Sequence, residues 1–151
     1  MTWVHDRIFA AGGEHVPATW AAFCAQTMVE AVVHLRPAQP SRFLGPAPAA
    51  FLWLDVADES QADSACRQLA GRFVEEQVGQ GRHVLIHSPL GRHRTRWVYV
   101  AFLLCQQMAL PSALRAAEER PWLAPYHTDR QAWADLADSL VSTEALINPQ
   151  G

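Results

Sequence analysis

The segment from His87 to Thr95, with the sequence HSPLGRHRT, constrains the fold of this chain more than any other stretch. It follows an apolar, strand-like run that ends at Ile86 and precedes an apolar, helix-like run that begins at Trp97. The first backbone N–H groups of a helix have no partner within the helix, so a turn that leads into a helix can bind an anion. Gly91 allows close approach of a ligand, and the planar guanidinium of Arg94 matches phosphate oxygens. The segment therefore predicts a phosphate-binding loop.

The segment resembles the signature loop of the cysteine-dependent phosphatases of the dual-specificity branch, HCxxGxxR followed by Ser or Thr. The residues that match this pattern are His87, Gly91, Arg94 and Thr95. Ser88 stands where the family has its nucleophilic cysteine. The similarity to small atypical members of the family extends over most of the chain, roughly residues 3 to 136. It implies an α/β fold in which helices flank a central sheet and the phosphate-binding loop joins a strand to a helix.

The resemblance also implies a role for each site residue. The phosphate-binding residues would be Ser88, Pro89, Leu90, Gly91, Arg92, His93 and Arg94. Asp58, which lies 30 residues before Ser88, would be the general acid. Asp55 is the other candidate, but it lies nearer the preceding strand and is expected to be structural. His87 would support the loop from beneath, and the hydroxyl of Thr95 would assist release of the nucleophile.

The serine at position 88 determines what activity to expect. A serine hydroxyl does not ionise in such a site and needs an adjacent base before it can attack phosphorus. The nearest candidate, His87, should point away from its neighbour, since successive side chains of a strand face opposite sides. We therefore expect the chain to bind phosphate monoesters and to turn them over very slowly or not at all.

Two origins of Ser88 are compatible with the sequence. It can be a Cys-to-Ser substitution that traps an otherwise active phosphatase, or it can be natural, in a pseudophosphatase that recognises a phosphorylated ligand without hydrolysis. Retention of Gly91, Arg94, Thr95 and Asp58 favours the first origin. Pro89, which has no N–H group, and Arg96, where the family usually has glycine, favour the second.

Ligands and rival functions follow from the residues near the loop. The basic cluster of Arg92, His93 and Arg96 would favour phosphoinositides or inositol phosphates if it contacts the ligand; otherwise it is a solvated rim. The expected partners are thus a phosphorylated protein or a small phosphorylated molecule, and phosphate or sulfate could occupy the loop.

A serine hydrolase is disfavoured because Ile86 and Leu90 occupy the glycine positions of the GxSxG pattern. A purely structural interaction domain is a further alternative. No metal or other cofactor is expected, since no set of convergent ligands is evident.

Composition narrows the remaining possibilities. The chain has 151 residues, of which 50% are hydrophobic, and we expect one domain over residues 1–142 and a C-terminal tail over 143–151. The net charge of −3 argues against nucleic-acid binding. The apolar run from Trp97 to Cys105 is too short to span a bilayer. An odd number of cysteines in apolar stretches predicts buried free thiols, and no signal peptide is visible, so a cytoplasmic location is expected.

The hydrophobic periodicity predicts four strands and five helices. The strands are expected at Arg7–Ala10, Ala31–Leu35, Phe51–Val56 and His83–His87. The helices are expected at Pro17–Gln26, Ser60–Val78, Thr95–Met108, Pro111–Arg120 and from Thr128 onward, with a Pro-rich loop over residues 36–50. Capping boxes are expected at Ser60 with Asp63 and at Thr128 with Gln131. Apolar residues three or four positions apart predict a buried face of the second helix. This face is formed by Ala62, Cys66, Leu69, Phe73 and Val74.

Overall fold

The structure of the chain is a computed structural model that describes residues 1–120 and 125–147, with side chains described to residue 142. The strands are β1 (Thr2–His5), β2 (Ile8–Gly12), β3 (Val29–Leu35), β4 (Ala50–Leu54) and β5 (His83–Ser88). The helices are α1 (His15–Ala18), α2 (Trp20–Thr27), α3 (Ser64–Gly79), α4 (Arg96–Cys105), α5 (Leu110–Glu119) and α6 (Arg130–Ile147). Short 3-10 helices lie at Glu59–Gln61 and Arg92–Thr95.

The five strands form one sheet in the order β1-β2-β5-β3-β4. Strands β2, β5, β3 and β4 are parallel, and only the edge strand β1 is antiparallel to its neighbour. In a parallel sheet, the carboxyl ends of the strands meet at one edge, where ligands commonly bind. The central strand β5 therefore delivers the loop that follows it to the middle of this edge.

Both faces of the sheet are covered. Val84 and Ile86 of β5 pack in the larger core cluster with residues of α3, α4, α5 and α6. Leu85 packs in the smaller cluster on the other face, together with Val16 of α1 and Trp20 of α2. A strand that is buried on both faces reads as a continuous apolar run, which explains the sequence Val84-Leu85-Ile86. The predicted α/β fold class, with helices flanking a central sheet, is confirmed.

The apolar helix after the loop is the central helix of the larger layer. Every residue of α4 is buried, as its uninterrupted apolar sequence predicts. It is shorter than expected: residues 92–95 form a separate 3-10 helix, and the helix ends at Cys105 instead of Met108. Gln107 adopts a left-handed conformation with φ of 65°, which ends the helical path.

The predicted face of α3 is confirmed at Val74, which is fully buried, and at Cys66 and Phe73, which pack against the core, but not at Leu69. The buried residues are Arg67, Ala70, Gly71, Val74 and Gln77. Leu69 is instead 51% exposed. The buried face also includes two polar side chains, Arg67 and Gln77, which have hydrogen-bond partners inside the protein and which a hydrophobicity pattern does not register.

Both predicted capping boxes are also wrong. Helix α3 begins at Ser64, where the carboxylate of Asp63 accepts a hydrogen bond from the N–H of Cys66 at 2.8 Å. Helix α6 begins at Arg130, where the carboxylate of Asp129 accepts from the N–H of Gln131 at 3.0 Å. In each case the aspartate directly before the helix caps the free N–H groups of the first turn, in place of the predicted serine or threonine.

The remaining differences are local. Strand β1 (Thr2–His5), which pairs with β2, was not predicted. The first predicted helix is two helices, which are separated at Thr19. The helix predicted at Pro111–Arg120 is α5, which extends over Leu110–Glu119. Among the three free cysteines only Cys105 is buried; Cys24 and Cys66 are partly exposed. None of the described helices has the length and hydropathy needed to cross a membrane.

Candidate phosphate-binding site

The loop that follows β5 is packed directly against the end of β2. Ser88 ends β5 and is 1% exposed, and its carbonyl accepts a hydrogen bond from the N–H of Gly13 at 3.1 Å. A Cβ atom at Gly12 would lie 2.6 Å from the backbone nitrogen of Arg92 and 2.7 Å from the Cα of Gly91. Only a glycine at position 12 allows this approach, so the end of β2 and the loop after β5 are packed as one unit. Sequence analysis did not identify Gly12, although a glycine pair directly after a strand is a signal for close backbone contact.

Three amides of the loop donate hydrogen bonds within the loop itself. The N–H of Leu90 donates to the Oγ of Ser88 at 3.2 Å, and the N–H of Gly91 donates to the carbonyl of Ser88 at 3.2 Å. The N–H of Arg94 donates to the carbonyl of Gly91 at 3.2 Å. Pro89 has no N–H. An oxyanion in the loop would have to replace these internal acceptors.

Arg94 and Asp58 meet at the mouth of the loop. The guanidinium of Arg94 donates to the carbonyl of Ala57 at 2.9 Å and lies 3.6 Å from a carboxylate oxygen of Asp58. The two side chains are 43% and 58% exposed, so both can reach a ligand from solvent. Asp55 is directed elsewhere, since its carboxylate accepts from the N–H of Ala38 at 2.7 Å. Of the two candidate acids, Asp58 is therefore the one beside the predicted phosphate-binding arginine.

His87 lies beneath the loop in a chain of buried hydrogen bonds whose direction is determined. Its Nε2 is 2.7 Å from the carbonyl of Gly13, and its Nδ1 is 3.1 Å from the Nδ1 of His34. The Nε2 of His34 accepts from the N–H of Ser41 at 2.9 Å. A carbonyl can only accept and an amide can only donate, so His87 carries its proton on Nε2 and His34 carries its proton on Nδ1. Both rings are neutral in this arrangement.

The environment of the pair agrees with neutral rings. Burial is the main cause that lowers the pKa of His34 to about 3, with further contributions from the nearby His87 and Arg36. Burial also lowers the pKa of His87, although its hydrogen bond to Gly13 acts in the opposite direction. His87 thus has both nitrogens engaged, with His34 and with Gly13, and is not available as a base for Ser88. Sequence analysis missed His34, which the parallel register of β3 and β5 pairs with His87.

The basic cluster next to the loop is divided, since His93 and Arg96 line one cleft together with Arg94 whereas Arg92 is directed elsewhere. Arg92 donates to the hydroxyl of Thr2 at 2.7 Å. Arg96 is buried, with its guanidinium 5.0 Å from the centre of the Tyr126 ring. His93 is exposed; partial burial, followed by Arg92 and Arg96, lowers its pKa. The hydroxyl of Thr95 donates to the carbonyl of Arg92, so in this structure it stabilises the turn of the loop.

A cleft of about 200 Å³ opens beside Arg94. It is lined by Asp58, Glu59, His93, Arg94, Trp97 and Tyr126, among others. Glu59 and Tyr126 were not singled out from the sequence. Gln131, considered a capping residue, hydrogen-bonds Asp135 at 2.9 Å. Within the described part of the chain, no group of three or more His, Cys, Asp or Glu residues is placed to hold a metal ion.

Comparisons with known proteins address the fold. No family model matches the sequence, and no curated protein matches it significantly. Among solved structures, human DUSP28 superposes with a TM-score of 0.70 at 21% identity, covering 95% of this chain and 95% of that one. A mouse protein complexed with zinc tungstate, whose name assigns it to the dual specificity phosphatases, superposes with a TM-score of 0.70 at 18% identity, over 99% of this chain and 92% of that one.

A third structure is the human tyrosine phosphatase-like serine/threonine/tyrosine-interacting protein. Its TM-score is 0.65 at 17% identity, and the match covers 97% of each chain. The match with each of the three structures extends over nearly the whole of both chains. The chain therefore has the fold of the dual-specificity and tyrosine phosphatases.

Proposed function

We propose that this chain is a phosphate-monoester recognition domain of the dual-specificity phosphatase type, a hydrolase when residue 88 is cysteine and a non-hydrolysing binder with Ser88. One observation carries the proposal. Arg94, at the end of the loop after β5, and Asp58, in the segment after β4, lie 3.6 Å apart at the carboxyl edge of the sheet. This is the pairing of a phosphate-binding guanidinium with an acid that phosphate-ester cleavage requires.

The chemistry of the cysteine form follows from these positions. A thiol at residue 88 would lie near the start of a helix and beside Arg94, surroundings that lower a thiol pKa from ~8.5 to between ~3.5 and ~7.5. The thiolate attacks phosphorus, Arg94 and loop amides stabilise the charge on the phosphoryl oxygens, and Asp58 donates a proton to the leaving oxygen. Asp58 then accepts a proton from the water that hydrolyses the phospho-enzyme.

With Ser88 this sequence stops before the first step. The hydroxyl has no neighbouring base, because both nitrogens of His87 are engaged with Gly13 and His34. Its oxygen instead accepts the N–H of Leu90. The loop and Arg94 remain available for a phosphorylated protein or a small phosphorylated molecule, which then binds without cleavage.

A natural pseudophosphatase is the alternative, and the internal bonding of the loop favours it. Pro89 contributes no N–H, and the amides of Leu90 and Gly91 bond to Ser88. If these bonds persist with a cysteine at position 88, substitution alone will not restore activity. The human interacting protein, whose name calls it tyrosine phosphatase-like, shows that the fold also occurs in proteins so described.

Tungstate binding and turnover separate these possibilities. The unmodified chain should bind tungstate and unfold at a temperature roughly 5 °C or more higher when tungstate is ~100 times its Kd. Arg94→Ala should abolish this shift, whereas Arg115→Ala, an exposed arginine on α5, should retain it. Turnover of an aryl phosphate by Ser88→Cys, lost again with Arg94→Ala, identifies a trapped enzyme.

The other outcomes are equally definite. Tungstate binding without turnover by Ser88→Cys identifies a pseudophosphatase. Absence of both tungstate binding and turnover would refute the proposed function. Hydrolysis of carboxylic esters by the unmodified chain would support a serine hydrolase instead.

A further inference from the structure

We propose that Glu59 is a positioning residue: held by Tyr126 and Thr128, its carboxylate keeps the preceding Asp58 at the phosphate-binding loop. This inference rests on the proposed function, since it assigns Asp58 the role of general acid. No sequence pattern singled out Glu59 or Tyr126, and the assignment comes from their contacts.

Both oxygens of the Glu59 carboxylate are held by hydroxyl groups from a distant segment. Oε1 accepts a hydrogen bond from the hydroxyl of Tyr126, and Oε2 accepts from the hydroxyl of Thr128 at 2.6 Å. The Oγ of Thr128 in turn accepts from the indole N–H of Trp133 at 2.6 Å. Trp133 is fully buried in α6. The carboxylate of Glu59 is thereby connected to a helix of the core.

The hydroxyl donors are themselves constrained. Arg96 lies over the Tyr126 ring at 5.0 Å. Burial, followed by the negative charge of Glu59, raises the pKa of Tyr126, so its hydroxyl keeps its proton and remains a donor. An ionised carboxylate that accepts two hydroxyl protons makes hydrogen bonds stronger than those between neutral groups.

The backbone of Glu59 is held as well. Its carbonyl accepts from the guanidinium of Arg67 at 3.1 Å, and that guanidinium lies 4.3 Å from the centre of the Trp133 ring. Arg67 is buried in α3. Glu59 is therefore fixed through its side chain by residues before and within α6, and through its backbone by α3.

Asp58 depends on this anchor for its place. It precedes Glu59 in the chain, and its carboxylate accepts from the N–H of Ser60 at 3.2 Å. On the other side of Asp58, the carbonyl of Ala57 accepts from Arg94, and its N–H donates to the side chain of Gln61 at 2.7 Å. The segment 57–61 thus has one end on the core and the other on the phosphate-binding arginine. A general acid acts only within hydrogen-bond reach of the leaving oxygen, so a shift of this segment would remove its effect.

The leaving group provides a readout that a purely structural role would not change. Phenyl phosphate needs protonation of its leaving oxygen more than p-nitrophenyl phosphate does, because p-nitrophenoxide is the more stable anion. In the Ser88→Cys chain, Glu59→Ala and Tyr126→Phe should lower kcat/KM, which covers the steps up to departure of the leaving group, about tenfold or more for phenyl phosphate and much less for p-nitrophenyl phosphate. Asp58→Asn is the reference for complete loss of the acid. Glu119→Ala, an exposed glutamate of α5, should change neither rate. Equal losses on both substrates, or no loss, would overturn the proposal.

A second measurement does not require turnover. In the unmodified chain, Glu59→Ala should accelerate amide hydrogen exchange in residues 57–61, while Glu119→Ala should not. Unchanged exchange would overturn the proposal even if the enzyme is active. Failure of the proposed function has a different signature: Ser88→Cys is inactive and tungstate does not bind, whatever the exchange shows. If Asp58→Asn lowers the rates on both substrates equally, Asp58 is not the general acid. The proposal for Glu59 would then fail, while the proposed function would stand.

Discussion

At the scale of single residues, His34 and His87 show how two backbone groups determine the protonation of a site. The N–H of Ser41 donates to His34 at one end of the pair, and the carbonyl of Gly13 accepts from His87 at the other end. A second proton on either ring would leave two N–H groups facing each other or break an end of the chain. The pair joins the Pro-rich loop to the turn after β2, which itself hydrogen-bonds Ser88, so its protonation affects more than its own two strands.

This pair should make stability depend on pH. The pKa of His34 is about 3 in the folded protein, against ~6.5 in an unfolded chain. As pH falls below ~6.5 the unfolded state binds the proton first, so the free energy of unfolding decreases, by up to ~1.4 kcal/mol per pH unit, until about pH 3. Stability from this group is complete above pH ~6.5. Urea unfolding at pH 7 and pH 5 measures the loss.

The variant His34→Gln isolates this contribution from that of the carboxylates. It should be less stable than the unmodified chain at pH 7 but lose less between pH 7 and pH 5. His83→Gln, on the same strand as His87 but outside the hydrogen-bonded chain, is the matched control. An identical loss in His34→Gln and the unmodified chain would contradict the assignment of neutral rings.

At the scale of elements, α3 shows how a helix selects its buried face. Its hydrophobic spacing predicted Leu69 as a core residue, yet Leu69 is 51% exposed while Val74 is fully buried. The buried Arg67 donates to the carbonyls of Glu59 and Ala62 and thereby connects the helix to the acid-bearing segment. The orientation of α3 therefore serves the site as well as the core.

Two truncations test this orientation. Val74→Ala should lower the free energy of unfolding by about 2 kcal/mol, because it leaves a cavity against α4. Leu69→Ala removes more atoms but should change stability by no more than ~0.5 kcal/mol, since the side chain is largely in solvent. Chemical denaturation of both variants decides the matter: a larger loss for Leu69→Ala would mean that the Leu69 side chain is buried in the folded protein, as its spacing predicted.

At the scale of the whole molecule, residues far apart in sequence meet at one edge of the sheet. Gly12 contacts Gly91 and Arg92, and the guanidinium of Arg92 reaches Thr2. The beginning of the chain and the phosphate-binding loop are therefore packed as one unit. Glycine at position 12 is a requirement of this packing, since a side chain there would overlap the backbone of the loop.

Gly12→Ala should displace the loop and weaken tungstate binding by at least about tenfold, with a lower unfolding temperature, because the new methyl group has backbone on its path and no flexible side chain that could yield. Gly79→Ala is the control, as a methyl group there meets nothing within 4 Å. Calorimetric titration with tungstate gives both affinities. Equal affinities in the two variants would show that the loop tolerates the displacement.

Sequence alone predicted those parts of the molecule that are determined by residues close together in the chain. The apolar runs around Leu85 and Val100 identified β5 and α4, and the loop between them identified the α/β fold. Local patterns could not show that His34 lies beside His87, because that requires the order of the strands. Nor could they connect Glu59 with Tyr126, which is 67 residues away. The caps at Asp63 and Asp129 were missed because several side chains compete for the same amides and spacing does not rank them.

The inward amides of the loop have a consequence for the time course of binding. If Leu90 and Gly91 must first release Ser88, association includes a slow step that ligand does not accelerate. The observed association rate would then rise with oxyanion concentration only to a plateau, set by how often the loop releases those bonds. The apparent association constant would be lowered as well, since only the fraction of molecules whose loop has released these hydrogen bonds can bind the oxyanion.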